Sequence, residues 1–152
     1  MKLTTKGKFA VTALLDIALY SDCDTTPMTL QNISERQGIS ISYLEQLFVK
    51  LRRYGMVKSY KGPGGGYVLA KELHKLSIAE IIKAVDEDMD ARTCRGLKNC
   101  RENKKCLTHD LWSDLTNHVY NYLDKVTLKD LIMKAETKQV TSLKEVKFAH
   151  NS

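Results

Sequence analysis

The sequence predicts a mainly α fold: a winged helix-turn-helix with a small β-hairpin wing and a long C-terminal dimerisation helix. Three observations predict it. Apolar residues recur every three or four positions in several stretches, the spacing of helices with one buried face. Two of those helices are joined by a tight turn containing Gly38. Directly after them, the run KGPGGG separates two short β-prone segments.

The first helix is KFAVTALLDIALY, where Phe9, Ala10, Ala13, Leu14, Ile17 and Ala18 form a wide apolar stripe. The linker SDCDTTP breaks it, and Cys23, alone there, is expected to be inert. A short helix, TLQNISERQ, follows and ends at Gly38. The second helix of the pair covers residues 42–54, with Ser42 and Glu45 read as a capping box and Gly55 as the stop. MVKSY and GYVLA flank the glycine-rich tip, where Pro63 fixes one backbone angle. Ser77 and Glu80 open another capped helix with a stripe of Ile78, Ile81, Ile82 and Val85.

Past residue 109, Leu111, Leu115, Val119, Tyr122 and Val126 recur along one long helix, with Trp112 and Leu123 beside them. At 1.5 Å per residue the stripe is about 24 Å long. TLKDLIMKA predicts a last short helix, and from Glu136 the pattern fades into what reads as a flexible tail. The expected organisation is therefore a DNA-binding domain over 1–85, a cysteine loop over 86–109, a dimerisation helix and short helix over 110–135, and a tail over 136–152.

The chain has 152 residues, 43% of them apolar, enough for one core. Neither end reads as a signal peptide and no apolar run suits a membrane span, so a reducing cytoplasm is expected. The net charge of +6 is unevenly spread. Residues 1–70 hold nine Lys/Arg against five Asp/Glu, and residues 94–109 hold five against one. The acidic run DEDMD lies between these basic stretches. A basic helix-turn-helix suits double-stranded DNA.

In the second helix of the pair, Ser42, Tyr43 and Gln46 are placed to meet base edges or phosphates in the major groove. Gln pairs bidentately with adenine. Lys50, Arg52 and Arg53 read as phosphate clamps or as a solvated face. Glu45 either caps its helix or screens DNA, accepting from cytosine and repelling phosphate. Lys61, Gly62 and Gly64 at the wing tip suit phosphate or minor-groove contact, against the plainer reading of a tight hairpin.

The stretch CRGLKNCRENKKCLTH spaces Cys94, Cys100, Cys106 and His109 as C-x₅-C-x₅-C-x₂-H. In a reducing compartment, clustered cysteines favour metal or redox chemistry over disulfides. Structural zinc sites usually include a close C-x₂₋₄-C pair, which is missing here. A 2Fe–2S cluster takes four ligands over two irons and accepts mixed Cys/His sets. Arg92, Arg95, Lys98, Arg101, Lys104 and Lys105 are expected to favour thiolates. On spacing alone a cluster, a zinc ion and three reduced thiols all stay open. Imidazole in place of one thiolate removes a negative charge, which raises the reduction potential and suits a cofactor that can be lost.

Taken in order, KLTTKGKFAVTALLDIAL, ISERQGIS, SYLEQLF, KGPGGGYVL, AVDEDMDA and CLTHDLW closely resemble the bacterial iron–sulfur cluster regulators of a winged-helix repressor family. The resemblance covers roughly residues 1–135. It implies a homodimer with one 2Fe–2S cluster per subunit, controlling iron–sulfur assembly genes, with cluster-donating assembly proteins as further partners. It assigns the ligand roles to Cys94, Cys100, Cys106 and His109. Ser42, Glu45, Gln46 and Lys61 fall where that family contacts or screens DNA. Lys61 stands where Arg is expected, keeping the charge and losing the planar fork. An electron carrier leaves the helix-turn-helix and wing without a role. No Ser/His/Asp set, catalytic carboxylate pair or phosphate-binding loop stands out, so an enzyme is not expected.

Overall fold

The computed structural model describes residues 3–21 and 26–149, with side chains described as far as Lys138. Cys23 and His150 lie outside the described residues. Six helices and one hairpin run in order: α1 Thr5–Tyr20, α2 Leu30–Gln37, α3 Ile41–Arg53, β1 Val57–Tyr60, β2 Gly66–Leu69, a 3₁₀ turn Leu73–Lys75, α4 Ile78–Ala84, α5 His109–Lys125 and α6 Leu128–Ala149. This is the winged helix-turn-helix expected from the sequence.

Helix α1 lies at the centre. Its expected stripe supplies Ala10, Ala13, Leu14 and Ile17 to the core, and α4 supplies Ile78, Ile81 and Ile82. From α2 comes Ile33, and from α3 Leu44, Leu47, Phe48 and Leu51, at helical spacing. Caps fix both ends of α2. The Thr29 hydroxyl accepts from the Asn32 N–H, and Gly38, with φ +67°, ends α2 in the left-handed conformation.

The wing is antiparallel, with Val57 opposite Leu69 and Tyr60 opposite Gly66. Met28 bridges to Tyr67 through two 2.8 Å backbone bonds, which moors the wing to the start of α2. A side chain at Gly66 would meet the Met28 carbonyl oxygen at 2.5 Å, so this close approach requires glycine.

The long helix α5 starts at His109, one residue before the expected Asp110. Its apolar stripe divides, however. Val119, Leu123 and Val126 pack on the core, whereas Leu111, Leu115 and Tyr122 are exposed, Leu111 at 58% and Tyr122 at 64%. The α5–α6 junction returns to the core. The Ile78 N–H donates to the Val126 carbonyl at 2.9 Å, the Leu128 N–H donates to the Leu76 carbonyl at 3.0 Å, and Leu128 is fully buried. Helix α6 continues through the expected tail as far as Ala149.

Candidate metal centre and nucleic-acid interface

Helix α3 is capped by Ser40, whose hydroxyl accepts from the Tyr43 N–H at 3.3 Å. The expected capping box of Ser42 and Glu45 does not form, because the helix begins one residue before Ser42. Glu45 is thereby free of that duty and has no hydrogen bond or ion pair among the described residues. Ser42, Glu45 and Gln46 are all exposed and share one face at i, i+3, i+4 spacing, opposite the buried Leu44, Leu47, Phe48 and Leu51.

Tyr43 is half-buried, with its ring edge-on to Phe9 at 5.6 Å between centroids, so it also packs α3 against α1. Lys50 is paired with Asp86 at 2.9 Å. Arg52 reaches back to the Ser59 hydroxyl on β1 at 3.4 Å, and Arg53 is exposed. At the wing tip Lys61, Gly62 and Gly64 are exposed, and the Gly65 N–H closes the turn onto the Gly62 carbonyl at 2.9 Å.

The three thiols and the imidazole come together where the loop after α4 meets the first turn of α5. His109 is buried, and its Nδ1 lies 3.5 Å from Cys94 Sγ and 3.2 Å from Cys100 Sγ. Those three ligand atoms lie within 4.8 Å of one another. Cys106 falls outside that trio, yet with Cys100 and His109 it lines one cavity of about 130 Å³, closed by Arg92, Thr93, Thr108 and Trp112. The donor set of soft sulfurs plus imidazole fits zinc or an iron–sulfur core.

Burial pushes the Cys94 thiol up, but hydrogen bonds from Cys100 and from the Gly96 and Lys98 amides outweigh it, leaving a net lowering. Cys106 is likewise lowered: burial opposes the shift, and hydrogen bonds from Cys100 and Thr108 prevail. Cys100 is raised: a backbone amide at Cys106 favours its thiolate, but hydrogen bonding to Cys94 and burial prevail. Cys100 therefore keeps its proton longest, and a metal has to displace it.

The loop cations contribute less than expected, since three of the six are paired with carboxylates. Arg92 binds Asp90 at 2.6 Å, Arg95 lies 3.8 Å from Asp88, and Lys105 lies 3.3 Å from Asp110. The amides reach the sulfurs because the loop is wound tightly. Arg95, Lys98, Glu102 and Asn103 all have positive φ, between 45° and 61°.

Sequence reasoning missed the residues that seat this loop. The Thr116 hydroxyl accepts from the Ala91 N–H at 3.0 Å, the Tyr120 hydroxyl accepts from the Met89 N–H at 3.3 Å, and Asp90 grips Arg92. Glu87 is buried and accepts from the Thr4 and Gly7 amides, the latter at 2.6 Å. A side chain at Gly7 would collide with that carboxylate. The acidic run noted in the sequence was the one available signal.

Comparison with known proteins places the chain among transcriptional regulators. The model of the Rrf2 family, described as iron-dependent transcriptional regulators, matches residues 3–134. The chain is 48% identical over 149 residues to the HTH-type transcriptional regulator IscR of Vibrio campbellii, covering 98% of this chain and 88% of that protein. It is 50% identical over 141 residues to IscR of an Enterobacter species, covering 93% and 85%. Among solved structures, T. potens IscR superposes with a TM-score of 0.73 at 33% identity, covering 91% of each chain.

Proposed function

This chain belongs to the Rrf2 family of transcriptional regulators, and from that premise we propose that it senses a 2Fe–2S cluster and controls iron–sulfur assembly genes as a homodimer. The carrying observation is that Cys94 and Cys100 meet His109, and that Cys100, Cys106 and His109 line one cavity, beside a winged helix-turn-helix. Cys94, Cys100, Cys106 and His109 hold the cluster in this reading. When bound, the cluster supplies a charge and a redox state that the loop alone lacks. His109 brings no negative charge, which suits a removable cofactor. Assembly proteins that donate clusters, in the cytoplasm, are the expected source.

DNA is read by Ser42, Glu45 and Gln46, with Lys61, Gly62 and Gly64 of the wing and Arg53 supporting the backbone. Gln46 offers an adenine-type pair, and Glu45 admits cytosine while repelling guanine acceptors and phosphates. The exposed apolar residues of α5 point to a second copy: Leu111, Leu115 and Tyr122 lie on one helix and lack a cover. Pairing along α5 sets two recognition helices on a near-palindromic site. Among the described residues no helix is long and apolar enough to cross a membrane.

Iron, sulfide and the visible spectrum of protein purified without air test the reading. The expected result is equal amounts of iron and labile sulfide with a coloured spectrum, and a different footprint for loaded and cluster-free protein on promoters of iron–sulfur assembly genes. Colourless protein carrying zinc, or footprints that never differ, overturns it.

A further inference from the structure

Helix α4 ends in a turn that glycine ordinarily makes. The Asp86 N–H donates to the Lys83 carbonyl at 3.1 Å, and the Glu87 N–H donates to the Ile82 carbonyl at 3.4 Å. This pair of bonds is the Schellman closure, whose pivot residue is left-handed. Here the pivot is Asp86, with φ +57°. Glycine adopts that conformation freely and a side chain resists it. An aspartate kept there points to a use for its carboxylate.

That carboxylate faces the recognition helix, with Asp86 Oδ2 lying 2.9 Å from Lys50 Nζ on α3. The positive charges of Lys6 and Arg53 also bear on it. Asp86 is two-thirds exposed, so water screens the pair and it adds little to stability. Its effect on DNA binding is larger. A phosphate reaching Lys50 has to displace a carboxylate, and the two anions repel each other.

The residues after Asp86 lead without a break to the metal centre. Glu87 is held by the α1 amides. The Asp88 carboxylate accepts from the Asp90 N–H at 2.8 Å. Asp90 in turn accepts from the Arg92 N–H and guanidinium. Arg92 is also a wall of the cavity that Cys100, Cys106 and His109 line. Whatever is seated in that cavity therefore bears on the last link of this strap.

We propose that Asp86 sets DNA affinity by masking Lys50 from phosphates, and that the bonded strap 86–92 passes the state of the thiol–imidazole centre to that mask. The relay rests on the cluster-sensing reading above, whereas the mask does not.

The test uses the full chain, cluster-free and cluster-loaded, with a labelled duplex of mixed sequence titrated over a range of salt. Asp86→Asn keeps the side-chain shape and tolerates the left-handed backbone. Asp86→Gly removes the carboxylate and relaxes the turn. In cluster-free protein both variants are expected to bind several-fold more tightly at low salt. The slope of log K against log salt is expected to steepen by about 0.9 per bound subunit, about 1.8 for a homodimer, the signature of one added phosphate contact at each Lys50. In a Lys50→Ala background neither change is expected. Unaltered slopes in both variants with native circular dichroism overturn the mask, as does tightening that persists without Lys50.

For the relay, the slopes of loaded and cluster-free wild type are expected to differ, and Asp86→Asn to narrow that difference. A difference that survives in full overturns the relay and leaves cluster sensing intact. Wild-type forms that bind alike remove both the relay and the sensing reading, and the cluster-free measurements still decide the mask.

Discussion

Asp90 is the residue on which the loop turns. Its carboxylate accepts from the Arg92 N–H at 2.8 Å, from Arg92 Nε at 2.8 Å and from Nη2 at 2.6 Å, with the Thr116 hydroxyl 3.3 Å away. The Arg92 guanidinium holds it well below the usual 3.8, down to about 2, against the opposing effect of burial. A carboxylate lowered by folding stabilises the fold above its ordinary pKa, and that contribution fades as the pH falls towards the folded value. Asp90→Asn is therefore expected to unfold more readily near pH 7, by on the order of 1 kcal/mol once solvent screening is allowed for. The deficit should shrink as the pH drops from 3.8 towards about 2, read from urea unfolding of both proteins across that range. The candidate metal ligands could be named from the sequence because they lie within sixteen residues and share a spacing. Asp90 and Glu87 were not, because their partners Thr116 and Gly7 lie 26 and 80 positions away. A run of acids shows charge in a sequence; which amide or guanidinium each one grips is decided by packing.

Helix α5 carries two duties on different faces. One face joins the core through Val119 and Leu123, and the other shows Leu111, Leu115 and Tyr122 to solvent. Leu115 belongs to the open face at 39% exposure, so a charge there disturbs the core little. Leu115→Asp is expected to give a folded monomer in sedimentation at micromolar concentration, with DNA affinity reduced tenfold or more as half-site pairing is lost. A dimer of unchanged strength would move the interface elsewhere. Helix positions themselves were legible from periodicity, and α1, α2, α4 and α5 lie where the apolar spacing put them. Two details were not. The α3 cap moved to Ser40 because Ser40 and Ser42 are chemically equivalent caps, and packing of Leu44, Leu47 and Phe48 chooses between them. The end of α6 was read too early because its apolar stripe weakens after Glu136, while Lys, Gln, Glu and Leu there keep good helix propensity.

At the scale of the whole molecule, one core joins the winged helix-turn-helix to the cysteine loop. Leu128, Met89 and Leu76 are buried with Phe48 and Leu51 of α3. In the proposed function, an event at the candidate metal centre therefore acts on a body that shares its packing with α3. The same body holds its own reporter. The chain has a single tryptophan, Trp112, in the cavity wall, with its indole N–H fixed on the Thr108 hydroxyl at 3.0 Å. An iron–sulfur chromophore absorbs where indole emits, so loading should quench most of the fluorescence and stripping by a chelator should restore it. Zinc, with a filled d shell and no visible absorption, should leave the emission nearly intact. Occupancy can therefore be followed in real time in the purified protein, without attaching a dye to it.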